Sequence, residues 1–165
     1  MDDYSVLRSI ENSEISLGAK IFDVRDALMW EKASPLGLPG KAFQGDKDRT
    51  SVVLSCSDYF TDRGEYQQAL ALYNNYHPVM QSHQDFYSRL AYVALKNEKF
   101  TQAVGVYQRL LQLDPKNARW WLGLGWAFRG QGEAKLAHDA YAKAYKYALP
   151  GAEFKPFLQS VLQDG

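Results

Sequence analysis

Apolar residues along this chain follow a helical spacing that repeats every 34 residues. The register is set by Ala69, Ala103 and Ala137. One helical turn after each alanine comes a tyrosine, at Tyr73, Tyr107 and Tyr141, so the two share a helix face. Tyr66, Phe100 and Ala134 open the same stretch. A second apolar stripe lies upstream in each period. It holds Cys56, Leu90 and Leu124, then the small residues Ser57, Ala91 and Gly125, and closes on Phe60, Ala94 and Phe128. Each period therefore predicts an upstream helix A and a downstream helix B. Between them fall Asp62-Arg63-Gly64, Lys96-Asn97-Glu98 and Arg129-Gly130-Gln131-Gly132, which read as turns. Leu113-Asp114-Pro115-Lys116-Asn117 ends one period and opens the next, because proline is excluded from a helix interior.

The pattern changes at both ends. After a break at Leu149-Pro150-Gly151, apolar residues recur at Phe154, Phe157, Leu158, Val161 and Leu162, which predicts a short amphipathic helix capping the last repeat. Residues 14–32 predict another helix, with Leu17, Ile21, Val24 and Leu28 on one face, broadened by Phe22, Ala27 and Trp30. Ser34 to Gly40 reads as a linker, and Gly45-Asp46-Lys47-Asp48 as a polar approach to the first period. The resulting plan is an arm and linker over 1–49, three repeats over 50–83, 84–117 and 118–149, and a capping segment over 150–165. The arm is either a cap on the first repeat or an element that binds elsewhere, in cis or in trans as a homodimer contact.

The periodic residues resemble the tetratricopeptide repeat, a helix–turn–helix unit of the same length. The third repeat carries the fullest match, with Trp121, Leu124, Gly125, Phe128, Gly132, Ala137, Tyr141 and Ala144. The second supplies Tyr87, Leu90, Ala91, Phe100, Ala103, Tyr107 and Pro115. The first supplies Gly64, Tyr66, Ala69 and Tyr73, with Val53 where a large aromatic is expected. The resemblance implies an all-α fold, a right-handed array of three helix–turn–helix repeats with an N-terminal helix and a C-terminal capping helix. Small residues would let helices A and B approach closely, and large aromatics would fill the space between repeats. One such repeat cannot bury its apolar face alone, and about three are needed for stability.

Composition narrows the function. There are 19 Lys+Arg and 19 Asp+Glu, so the net charge is zero. A nucleic-acid binder needs a basic excess to neutralise phosphates, which argues against that class. A hydrophobic content of 46% excludes a disordered chain. The N-terminal residues are acidic and polar, and no stretch approaches the roughly 18 apolar residues of a membrane span. A cytoplasmic location with no membrane insertion is the expectation, and an upstream anchor or signal would make it periplasmic.

Chemistry for catalysis or cofactors is missing from the sequence. Gly123-Leu124-Gly125 falls inside a predicted helix and reads as packing, not as a phosphate loop. His77, His83 and His138 have no metal-ligand spacing. Cys56, the one cysteine, sits at a helix A core position and reads as a buried packing thiol. No enzyme, no metal and no cofactor are expected.

By the positions that face inward in this family, the resemblance implies a concave protein-binding groove. Its candidate residues are Leu54, Asp58 and Asp62 in the first repeat and Ser88, Tyr92 and Lys96 in the second. Arg119, Leu122, Trp126 and Arg129 follow in the third. Tyr92 and Trp126 stand out, because aromatics are the usual anchors of interfaces. Charge along the repeats is graded. Asp58, Asp62 and Glu65 against Arg63 give the first a net of −2, five bases against three acids give the second +2, and six against four give residues 118–165 another +2. Such a gradient could orient a bound peptide. The Lys and Asn clamp of tail-binding relatives has no counterpart here, so a hydrophobic peptide or amphipathic helix of another protein suits the groove better. The segment Asp114 to Gly125, with Arg119, Trp120-Trp121 and Leu122-Gly123-Leu124-Gly125, is similar to part of the class II chaperones of bacterial type III secretion. There it sits in the middle repeat, here in the last. It is also similar to the C-terminal domain of MSHA-type pilus biogenesis proteins. Both imply an adaptor or chaperone in a bacterial secretion or pilus system. The alternative is a homo-oligomerising scaffold built on the N-terminal helix and the aromatic surface.

Overall fold

The structure, a computed structural model, describes residues 46–164, with side chains from Thr50 onward. The helix expected over 14–32, and the dimer contact assigned to it, lie outside the described residues. All regular structure among the described residues is helical: α1 (Asp46–Asp62), α2 (Tyr66–Asn74), a 3-10 turn (Met80–Ser82), α3 (Gln84–Lys96), α4 (Phe100–Leu113), α5 (Ala118–Gly130), α6 (Ala134–Tyr147) and α7 (Lys155–Gln163). Helix α1 already includes Asp46 to Asp48, expected as a polar approach. Acidic residues favour a helix N-terminus, which accounts for the earlier start.

The three turns between paired helices share one backbone geometry. Gly64, Glu98 and Gly132, 34 residues apart, all take positive φ, at 75°, 56° and 81°. In each turn the next amide reaches back to the carbonyl five residues earlier: Glu65 to Phe60 at 2.8 Å, Lys99 to Ala94 at 2.8 Å and Glu133 to Phe128 at 2.9 Å. This is the Schellman closure, which satisfies the last carbonyls of a helix and needs a left-handed residue. Glycine takes that conformation freely, whereas Glu98 must hold a Cβ against its own backbone. Glu98→Gly is therefore expected to stabilise the protein by about 0.5–1 kcal/mol. Thermal unfolding of the two proteins decides it, and an unchanged or lowered midpoint would contradict the argument.

The junction between the second and third repeats is closed by side chains. The Asp114 carboxylate accepts from the Lys116 amide at 3.2 Å, and the Asn117 carbonyl oxygen accepts from the Trp120 amide at 3.2 Å, capping α5. At the far end, Gly151 at φ 84° turns the chain from α6 toward α7, whose first turn accommodates Pro156.

The chain divides into two compact units between Val79 and Met80. In the first, α1 packs on α2 and buries Val53, Cys56, Phe60, Leu72 and Tyr73. A hydrogen bond of 3.0 Å between the Thr50 and Tyr76 hydroxyls ties α1 to the chain beyond α2. In the second, each helix from α3 to α7 packs on the next, and α3 also touches α5. The helix contacts are close because small residues line them: Ala91, Ala94, Ala103, Ala127 and Ala144 are fully buried. Gly123 and Gly125 go further. A Cβ on Gly123 would stand 2.3 Å from Tyr107 Cζ, and one on Gly125 would stand 2.4 Å from Tyr141 Cε1. The periodic tyrosines thus seat their rings directly on α5, where only a hydrogen leaves room.

Candidate functional site

The site begins with two rows of α3 and α5. Tyr92 and Trp126 occupy the same position in successive repeats, 34 residues apart. Each is 40% exposed, against 7% for Tyr87 and 5% for Tyr107. Their neighbours explain why. The helix faces on either side are taken up by core residues, Val93 and Ala94 next to Tyr92 and Gly125 and Ala127 next to Trp126. The Lys96 ammonium lies 5.7 Å over the Tyr92 ring, one turn further along α3. Arg129 is exposed one turn beyond Trp126. Burial, with Tyr92 nearby, pushes the Tyr107 phenol up. Burial also raises the Tyr141 phenol, and the Arg129 guanidinium pulls the other way.

The remaining expected residues divide into several groups. Leu54 and Asp58 are half-buried and Asp62 is exposed, all on α1 in the first unit. Ser88 accepts a hydrogen bond from Trp120 Nε1 at 3.1 Å, so its hydroxyl is engaged within the fold. Arg119 is exposed but occupied: its guanidinium lies 3.4 Å from a Glu153 carboxylate oxygen and 5.4 Å over the Phe154 ring. Leu122 is not on the surface. It is 6% exposed and belongs to a core cluster with Ala137, Tyr141, Ala144 and Leu158. The reason is α7, which brings Leu158 into that cluster and lays Phe157 on Trp126 at 6.0 Å and on Tyr141 at 5.8 Å. In the last repeat, an inward-facing position has become interior.

Two features escaped the sequence reading. Trp120 is 7% exposed, whereas Trp121, the expected packing residue, is only half-buried. Trp121 instead donates to the Pro115 carbonyl at 2.8 Å and carries the Lys143 ammonium 4.6 Å above its ring. The second feature is the register of α7. Leu158 lies 34 residues after Leu124, and Glu153 lies 34 after Arg119, so α7 takes the place of helix A in a fourth period. The signal was present in the spacing of Leu90, Leu124 and Leu158.

Elsewhere the second unit has a cleft of about 380 Å³ between α4, α5 and α6, lined by Leu111, Trp121, Phe128 and Leu136. Cys56 is buried, and burial pushes its thiol up to about 12, which leaves no thiolate near neutral pH. Among the described residues no group of three His, Cys, Asp or Glu is placed to hold a metal ion. Among the same residues no helix is long and apolar enough to cross a membrane.

Comparison with known proteins agrees with this geometry. Residues 88–153 match the family model of the tetratricopeptide repeat. No curated protein sequence matches the chain. Two crystal structures of MamA are similar in fold. One has a TM-score of 0.57 at 18% identity, over 99% of this chain and 92% of that one. The other has a TM-score of 0.53 at 19% identity, over 76% and 73%.

Proposed function

We propose that this tetratricopeptide-repeat protein is an adaptor or chaperone that holds a peptide or helix of another protein against the Tyr92 and Trp126 face of its second and third repeats. The observation that carries this reading is the repeated exposed aromatic. Two large rings at one repeat position, flanked by Lys96 and Arg129, offer desolvation energy and cations to the same ligand. The basic excess of the second and third repeats would favour an acidic flank on that ligand. Binding also suits a chain whose one cysteine is a buried, protonated thiol. The setting we favour is a bacterial secretion or pilus-assembly system, on the likeness of the Asp114 to Gly125 segment.

The test is photo-crosslinking in the producing cell. A photoreactive amino acid at position 92 is expected to capture one protein, and the same group at position 136, in the cleft between α4, α5 and α6, is expected not to. Tyr92→Ala should then weaken that complex by about 2 kcal/mol, some thirtyfold, in calorimetry with the captured protein. Equal capture from position 136, or unchanged affinity for Tyr92→Ala, would place the interface elsewhere.

A further inference from the structure

Helix α7 buries fewer residues than any of α2 to α6. It is nine residues long, below the length at which a helix persists in water without packing. Only Leu158 among its residues is buried. The ion pair in the turn ahead of it, Arg119 with Glu153, is largely exposed on both sides, where such pairs contribute little. Its tether runs through Leu149, 76% exposed, and the left-handed Gly151. Phe157, Val161 and Leu162 pack on the core beneath but stay partly exposed. An element with one buried residue and partly exposed packing belongs to the low-stability end of a structure.

The contacts α7 makes also describe what the covered face accepts. Arg119 takes an acid, Glu153, and an aromatic face, Phe154. Trp126 and Tyr141 take Phe157 between them, and the Leu122 cluster takes Leu158. Read along the chain, this is an acid and an aromatic in the turn that leads into α7, then an aromatic–leucine pair in its first turn.

We propose that α7 is a displaceable cover, and that the face beneath it receives a partner's segment presenting an acid and an aromatic ahead of a helical aromatic–leucine pair, at the spacing of residues 153–158. The proposal rests on the protein-binding reading above and gives the chemistry of one partner segment. Since α7 and that segment compete for one surface, apparent affinity in the full chain is the intrinsic affinity reduced by the fraction of molecules with α7 released.

The probe is a labelled synthetic peptide of residues 152–164, offered in trans to the full-length protein. The expected result is weak binding to the wild type and at least tenfold tighter binding to Leu158→Asp, which removes the one buried anchor of α7. Phe157→Ala should give a smaller gain in the same direction. Adding Arg119→Glu to Leu158→Asp should lower affinity severalfold, and a peptide carrying Glu153→Arg should recover it. Hydrogen exchange on the same samples should show α7 released while α5 and α6 stay protected. No gain in affinity with α7 released would overturn the proposal. So would loss of protection through α5 and α6 in Leu158→Asp, because α7 would then be integral to the core. A doubled mass for the wild type, abolished by Leu158→Asp, would mean that a second copy is the occupant and would also overturn it. Leu136→Ala, in the cleft between α4, α5 and α6, should leave peptide binding unchanged, and capture from position 92 is read independently of the peptide.

Discussion

Gly125→Val is expected to destabilise the protein by about 3 kcal/mol or more, measured as a shift of the urea unfolding midpoint. The cause is steric. A Cβ at Gly125 would lie 2.4 Å and 2.5 Å from two ring carbons of Tyr141, itself buried and set edge-on against Phe157 at 5.8 Å. Relief requires the ring to move, and it cannot move without displacing Phe157. The same chain supplies the control. Gly105 lies within α4, exposed, and a Cβ there meets nothing within 4 Å. Gly105→Ala should stabilise by about 0.5–1 kcal/mol, because alanine loses less backbone entropy in a helix. Gly125→Ala gains the same propensity term but should still lose overall, since overpacking costs about 1–3 kcal/mol. If the two alanine variants shift the midpoint equally upward, the close seat of Tyr141 on α5 is wrong.

Trp120→Ala should cost about 3–5 kcal/mol, against about 2 kcal/mol or less for Trp121→Ala. Trp120 is buried and its Nε1 is bonded to Ser88 across two repeats, so the change opens a cavity and strands the Ser88 hydroxyl. Trp121 is partly exposed, and losing it removes one bond to Pro115 and the stacked Lys143. Trp120→Phe isolates the bond and should recover most of the stability. A larger loss for Trp121→Ala than for Trp120→Ala would reverse the assignment of inside and outside on α5.

That pair shows where sequence reasoning reached its limit. The period of 34, the turns at Gly64, Glu98 and Gly132, and the packing role of the alanines and tyrosines were legible, because each is a spacing or a steric need of a single position. Adjacent tryptophans are not resolved by spacing. Neighbouring residues point about 100° apart on a helix, and a small rotation decides which one faces the core. Leu122 was misplaced for a different reason. Its expected exposure assumed an open inner face in the last repeat, and α7 covers it. The continued register that would have foretold this, from Leu124 to Leu158 and Arg119 to Glu153, is interrupted by Pro150 and Gly151, so the segment looked like a separate cap. Tyr92 and Trp126 are exposed as expected, and the partner they would hold belongs to the proposal above.

Four side-chain bonds between residues distant in the chain carry a kinetic meaning. Thr50 with Tyr76, Thr101 with Gln131, Ser88 with Trp120 and Arg119 with Glu153 are 26, 30, 32 and 34 residues apart. None of these four spans more than one period. Loop closure at such separations is fast, and chains dominated by local contacts fold among the quickest. Translation adds about 5–20 residues per second, so a full period emerges within seconds, far slower than two helices need to meet. Each hairpin can therefore be complete while the next is still being synthesised, leaving few apolar surfaces waiting for a distant partner.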